Sequence, residues 1–200
     1  MISRFVKPLL AVFLACLFTT LTFSQISYQN LNTSNQYLLQ NLPASVLQYV
    51  DKYLPVASEV AHEYNVPVDF LLSVAGLETG WGQSELSQMA NNHFGIKNFY
   101  NEGPSYCMMH MDYNEYGQEV VEQTCFKKYA SPKQSFVDYL EHLESRGCYL
   151  DIKDIPKATF ADWIRVVAEC GYATDPSYAQ KVANIRVKYY FDRIIPSMYR

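Results

Sequence analysis

The sequence predicts an α+β domain that is mainly helical and carries one small β-hairpin. Three observations lead there. Apolar residues recur at helical spacing through most of residues 43–200. One segment, Ser105 to Tyr129, breaks that rhythm and alternates apolar with polar residues. Pro, Gly, Asn and Asp punctuate the pattern where elements should begin and end.

Met1 to Ser24 reads as a signal peptide. Arg4 and Lys7 give a positive start, Pro8 to Phe23 is apolar, and Thr22 and Ser24 suit cleavage before Gln25. The apolar run is short for a spanning helix. Cys16 sits in an imperfect lipoprotein-type box, which makes a lipid anchor the second reading. Residues 25–42 are rich in Gln, Asn, Ser and Tyr and read as a polar arm. Residues 43–200 form the expected folded domain. About 175 residues remain after removal of the signal, enough for one domain with a real core. The chain is 49% hydrophobic and 15% aromatic, with 17 tyrosines and a formal net charge of -4. No basic run is present, so binding nucleic acid through a basic face is not supported. No repeat of solenoid period occurs.

The first helix is predicted from Val46, Leu47, Val50, Tyr53 and Leu54. Pro55 should restart it, with Val56, Val60, Ala61 and Tyr64 following. His62 and Glu63 fall on its polar side. Asn65-Val66-Pro67 is a turn, and Pro67 and Asp69 suit the first turn of the next helix. That helix is the apolar run Phe70–Leu77. Glu78 lies at its C-terminal end, where partial burial and the helix dipole both disfavour a negative charge. A carboxyl held protonated near neutral pH can give a proton to a leaving group. Gly80 and Gly82 break the helix, and Trp81 offers a flat apolar face. Read alone, a glutamate like Glu78 is more often a solvated or salt-bridged surface residue, and a tryptophan like Trp81 more often core than platform.

Asn91 to Tyr106 should be a loop that packs Phe94 and Ile96 inward, with Asn91 and Asn92 bonding backbone. Lys97 reads as a solvated loop charge. The hairpin should turn near Gly117. Met109, Met111 and Tyr113 then share one face, with His110, Asp112 and Asn114 on the other. Ser131-Pro132 opens a helix through Phe136, Tyr139, Leu140 and Leu143, ended by Gly147. Thr159 caps a helix from Phe160 to Cys170, closed by Gly171. Asp175-Pro176 leads into a last helix carrying Tyr178, Val182, Ile185 and Tyr189.

Four cysteines remain besides Cys16. A hairpin turning at Tyr116-Gly117 places Cys107 almost opposite Cys125, which leaves Cys148 with Cys170. Four reduced, buried thiols are the alternative. There is no C-x-x-C pair and no H-E-x-x-H run, so no metal site is predicted. No phosphate-binding Gly loop and no G-x-S-x-G elbow occurs. A cysteine peptidase would need Cys107 or Cys125 to work with His110.

Four ordered segments resemble one family. They are Leu77-Glu78-Thr79-Gly80-Trp81-Gly82-Gln83-Ser84, Asn91-Asn92-His93-Phe94-Gly95-Ile96-Lys97, Cys125 to Ser131, and Gly171 to Tyr178. Together they are similar to the bacterial peptidoglycan N-acetylglucosaminidases (glycoside hydrolase family 73), from about Pro55 to Val187. The resemblance implies a lysozyme-like fold, with a glycan cleft between a helical lobe and a small β-lobe. It implies an exported endo-β-N-acetylglucosaminidase acting on peptidoglycan, as a monomer and without a cofactor. Glu78 would be the general acid, and Trp81, Asn92, Phe94 and Tyr172 would shape the sugar sites. The family's second acid sits on the β-lobe. Its usual segment is missing here, and Asp112 is chosen over Glu115, Glu122 or assistance from the substrate's own acetamido group. A lytic transglycosylase, an endoglycosidase acting on glycoproteins and a non-catalytic glycan-binding module are the rival expectations.

Overall fold

The computed structural model describes residues 33–100, 103–113, 116, 118–147, 152, 155, 157–169, 171–172 and 175–198. The segment read as a signal peptide, Cys148 and Cys170 lie outside the described residues, as do the side chains of Asp112 and Tyr113. The described residues divide into two compact units, one within 42–192 and a smaller one of residues 33–41 with 193–198.

In the smaller unit, Thr33–Gln40 forms helix α1 within the stretch expected to be a loose arm. Its exit is tied by Asn41 Nδ2, which donates to the Tyr37 carbonyl at 2.6 Å, and Asn35 Nδ2 donates to the Arg193 carbonyl at 3.4 Å. Side-chain amides here satisfy carbonyls that a helix end leaves open, a signal invisible to apolar periodicity.

The larger unit begins with α2, Ala44–Tyr64. It buries Val46, Tyr49, Val50, Tyr53, Leu54, Ala57, Val60 and Ala61 on one face. The expected restart at Pro55 does not occur, and the helix runs through it. Pro55 has no N–H to give to the Asp51 carbonyl, and both residues lie on the exposed side. Water can serve that carbonyl, which removes most of the reason for a break. Asn65 adopts the left-handed conformation and ends the helix.

Helix α3, Val68–Thr79, is the centre of the fold. Seven consecutive residues, Phe70 to Gly76, are buried, as expected of a helix covered on all sides. Helices α2, α6 (Phe160–Glu169) and α7 (Tyr178–Lys188) pack on it, and α5 (Pro132–Ser145) packs on α2. Asp69 in its first turn pairs with Arg186 of α7 at 2.6 Å. Phe70 meets Trp163 of α6 at 5.5 Å between ring centroids. A short helix that periodicity did not indicate, α4 (Glu85–Ala90), follows, capped by Ser84, whose Oγ accepts from the Ser87 N–H. Six residues are too few to show a period. The helix α8, Phe191–Met198, begins at the end of this unit and was not separated from α7 by sequence.

The hairpin is β1 (Ser105–Tyr113) and β2 (Glu119–Lys127), antiparallel, with Cys107 opposite Cys125 and His110 opposite Glu122. Cys107 and Cys125 form a disulfide that closes a loop of sequence separation 18. The loop segment 96–98 adds to the free side of β2: Lys127 N–H donates to the Ile96 carbonyl at 3.0 Å and Asn98 N–H to the Cys125 carbonyl at 2.8 Å. The β-lobe is thereby anchored to the loop that follows α4. This is the lysozyme-like α+β arrangement that the sequence predicts.

Candidate active site

A cavity of about 630 Å³ opens between the end of α3, the α4 entry, the 94–97 loop, the hairpin and the α5 and α7 termini. Glu78 lines it, one residue before the end of α3. The side chain can be reached by water through the cleft, yet protein crowds it on its other sides. Loss of hydration raises its pKa to about 7, and the Tyr178 phenol partly opposes the rise. The Tyr178 hydroxyl is itself buried and has no hydrogen-bond partner of normal geometry among the described residues. Near pH 7 such a carboxyl is present in both forms, the condition for donating a proton in one step and accepting one in the next.

Tyr172 lines the same cavity. Its hydroxyl donates to the Phe94 carbonyl at 3.0 Å, so the polar tip positions the loop, while its ring meets Tyr139 and Tyr178 at 5.3 and 5.9 Å. Phe94 also contributes to the wall, although its side chain is buried and stacked on Tyr139 at 4.2 Å. Both phenols, Tyr139 and Tyr172, are held well above the ordinary tyrosine pKa, chiefly by burial.

Two expected sugar-site residues are elsewhere. Trp81 is not among the residues lining the cavity. Its ring lies over Gly76 and meets Tyr49, Tyr189 and Phe191 edge-on at 5.2–6.0 Å. Gly80, Trp81 and Gly82 all have positive φ, a left-handed run that is costly for tryptophan and held by this packing. Asn92 is also absent from the lining and is buried. Its Nδ2 donates to the Ile96 and Lys127 carbonyls, and its Oδ1 accepts from the Phe94 and Ile96 N–H groups. It fixes the loop that forms the cleft floor, in keeping with the backbone-bonding reading of Asn91 and Asn92.

On the hairpin, Met108 and His110 line the cavity from one face of β1. The register sets Glu122 opposite His110, and a directly opposed pair shares a face. Met109 and Met111, one position out of phase, are exposed on the other face. Asp112 pairs with Val120 two positions farther along β1. Tyr106 of β1 donates a hydrogen bond to Glu85 at the start of α4, joining the two lobes.

Sequence reasoning did not place His142 and Arg146 of the α5 end in the site, nor Tyr178, which was assigned only to a packing face. All three line the cavity. The Gly171–Tyr178 segment carried a signal for Tyr178; no local motif marked the other two. Burial and the nearby Arg146 charge lower the pKa of His142, so it favours the neutral form. His93 is fully buried and pushed down to about 4 by burial, with Nδ1 2.8 Å from the Tyr49 hydroxyl. It is a core residue. Among the described residues no cluster of three or more His, Cys, Asp or Glu side chains could hold a metal.

Known proteins repeat this arrangement. The chain is 36% identical over 147 residues to the peptidoglycan hydrolase FlgJ of Pseudomonas aeruginosa, covering 71% of this chain and 36% of that protein. It is 30% identical over 157 residues to the exo-glucosaminidase LytG of Bacillus subtilis, covering 75% and 55%. It thus spans roughly a third to a half of the length of these relatives. Among solved structures, the catalytic domain of the autolysin Auto from Listeria monocytogenes superposes with a TM-score of 0.65 at 26% identity, over 78% of this chain and 89% of that one. A peptidoglycan hydrolase mutant from Sphingomonas superposes with a TM-score of 0.60 at 34% identity, over 69% and 90%. The family profile described as mannosyl-glycoprotein endo-beta-N-acetylglucosaminidase matches residues 54–191. With that match over most of its length, the chain belongs to the glucosaminidase family of glycoside hydrolases.

Proposed function

We propose that the protein is an exported peptidoglycan hydrolase that cleaves the β-1,4 bond following N-acetylglucosamine, with Glu78 as the proton donor. The observation that carries this is a carboxyl raised to about 7 on the wall of a cleft between two lobes. Protonated Glu78 would place its proton on the bridging oxygen as that bond breaks. The positive charge then developing on the sugar ring needs a carboxylate or the substrate's acetamido oxygen on the opposite side. The Tyr172 ring would help to hold the sugars, with Phe94 packed behind it as part of the wall.

The second carboxylate belongs to the hairpin row that carries His110. Asp112 is the sequence-based choice. A specific observation favours Glu122 as its rival: it pairs directly with the cavity-lining His110, whereas Asp112 lies two positions, about 7 Å, along the strand from it. Comparison of Asp112→Asn with Glu122→Gln separates them, because the true partner's loss lowers turnover far more. If neither loss matters, substrate assistance takes the role.

Export rests on the Arg4/Lys7 start and apolar run, together with the Cys107–Cys125 disulfide, which persists in oxidising compartments. No helix among the described residues is long and apolar enough to cross a membrane. The decisive experiment incubates the mature protein with purified peptidoglycan and identifies the new chain end. A reducing N-acetylglucosamine supports the reading. An anhydro-muramyl end makes the protein a lytic transglycosylase, and binding without cleavage makes it a glycan-binding module. A high-mannose glycoprotein, run in parallel, tests the remaining rival.

A further inference from the structure

We propose that Arg146 is a carboxylate-recognition site in the cleft, reading the acidic groups that a muramic acid residue carries and a glucosamine residue lacks. The inference rests on the peptidoglycan reading of the same cleft and names the part of the substrate that makes it selective. Arg146 follows the last residue of α5 and lines the cavity beside His142, Gly171, Tyr172 and Asp175. Among the described residues its guanidinium makes no ion pair. Among the described residues its one hydrogen bond is long, from Nη1 to the Gly171 carbonyl at 3.4 Å. Against those residues, most of its five N–H donors are left for a ligand.

Among the described residues the neighbouring charges do not compensate that cation. Asp175, the nearby acid on the wall, is already committed to Lys181 at 2.6 Å and to the Ser177 hydroxyl and N–H. His142 favours the neutral form. Lys97, the other basic residue of the wall, lies near the exposed Phe99 ring on the loop beyond the cleft floor. Glu78 lines the same cavity, and the Tyr172 phenol lies within electrostatic reach of both the acid and the guanidinium.

The substrate's chemistry supplies the complement. N-acetylglucosamine is uncharged. A muramic acid residue adds a lactyl arm that ends in a free carboxylate or in a stem peptide bearing carboxylates. A planar guanidinium with open donors matches a carboxylate in a two-pronged geometry. Recognition there would also set which sugar of the alternating pair lies on each side of Glu78, and so which bond is cut.

The test measures binding by calorimetry for the wild type, Arg146→Ala and Arg146→Lys. The ligands are chitobiose, the disaccharide of N-acetylglucosamine and N-acetylmuramic acid, and that disaccharide bearing a stem dipeptide. Arg146→Ala should weaken the muramyl ligands by about tenfold, the scale of a charge-assisted hydrogen bond, and leave chitobiose unchanged. Arg146→Lys should restore part of the loss, and added salt should erode the difference between wild type and Ala. Loss confined to the free disaccharide assigns the lactyl carboxylate; loss confined to the peptide-bearing one assigns the stem. Muramyl ligands that bind the wild type no more tightly than chitobiose overturn the proposal. So does an equal loss for all three ligands, which would mark Arg146 as a brace for Gly171. Turnover on whole peptidoglycan is measured separately. If the wild type shows none, the hydrolase reading falls, while Arg146-dependent muramyl binding would still stand.

Discussion

Replacing Glu78 with Gln removes the proton and keeps the shape, so its effects can be worked out in sign and size. An amide cannot protonate the glycosidic oxygen, and a positioned acid contributes about 10²–10⁴-fold to such a step. Turnover should fall by that factor, with substrate affinity little changed. The wild-type pH profile should carry the same signature. With a pKa of about 7, roughly nine-tenths of Glu78 is protonated at about pH 6 and one-tenth at about pH 8, so the alkaline limb should drop about tenfold per unit above neutrality. Stability should move the other way. The folded protein holds the Glu78 proton more tightly than the unfolded chain does, because the pKa rises on folding from 4.5 to about 7. The stabilising share of this group is complete below about pH 4.5 and is lost as the pH rises through 7. The Gln variant has no such dependence. Its melting temperature should gain on the wild type between pH 4.5 and 7, and the gap should level off above that. The assays are reducing-end release from peptidoglycan across pH and thermal melts of both proteins. A folded Glu78→Gln protein that keeps near wild-type turnover would refute the assignment, and so would a melting gap that widens on acidification.

Three other perturbations test the frame around that acid. Gly76→Ala puts a Cβ 2.4 Å from the Trp81 ring, so it should destabilise by about 1–3 kcal/mol in denaturant titration. Replacing Cys107 and Cys125 by Ser should cost about 2–4 kcal/mol and speed hydrogen exchange across β1 and β2; unchanged exchange would show that the 96–98 pairing alone holds the lobe. Tyr172→Phe loses the bond to the Phe94 carbonyl, worth about 0.5–1.5 kcal/mol, while keeping the ring. It should lower stability more than affinity, and a large affinity loss would mean the hydroxyl meets substrate directly.

The helices, the hairpin and the Cys107–Cys125 bridge were legible because each rests on a local signal: a 3.6 period, a period of two, or symmetry about a turn. The Pro55 break was misjudged because sequence reports the missing N–H and not whether that side of the helix faces water. The α4 helix and the α7–α8 boundary were missed because elements so short or so closely joined show no period. In the site, Glu78 was legible from its position at a helix end. Arg146 and His142 were not, because they reach the cleft only through the packing of α5 against the rest of the domain, and nothing adjacent in sequence marks them.

Trp81 shows why a motif can be read correctly as a whole and wrongly in its parts. Placing a carboxyl at the exit of a buried helix costs stability at neutral pH, and it works only if the backbone turns away at once and does so in one way. Gly80 and Gly82 permit the left-handed turn but do not select it. Selection comes from Trp81, which fills the space above Gly76 and wedges against Tyr49, Tyr189 and Phe191. Thr79 adds a second tie, with its hydroxyl donating to the Ala75 carbonyl and accepting from the Gly82 N–H. Of the run Glu78-Thr79-Gly80-Trp81-Gly82, one residue faces the cleft and four hold it there. An aromatic beside an acid in sequence therefore says little about which face of the molecule it serves. Here the rings that share the cleft wall with Glu78 include Tyr172 and Tyr178, about a hundred positions away.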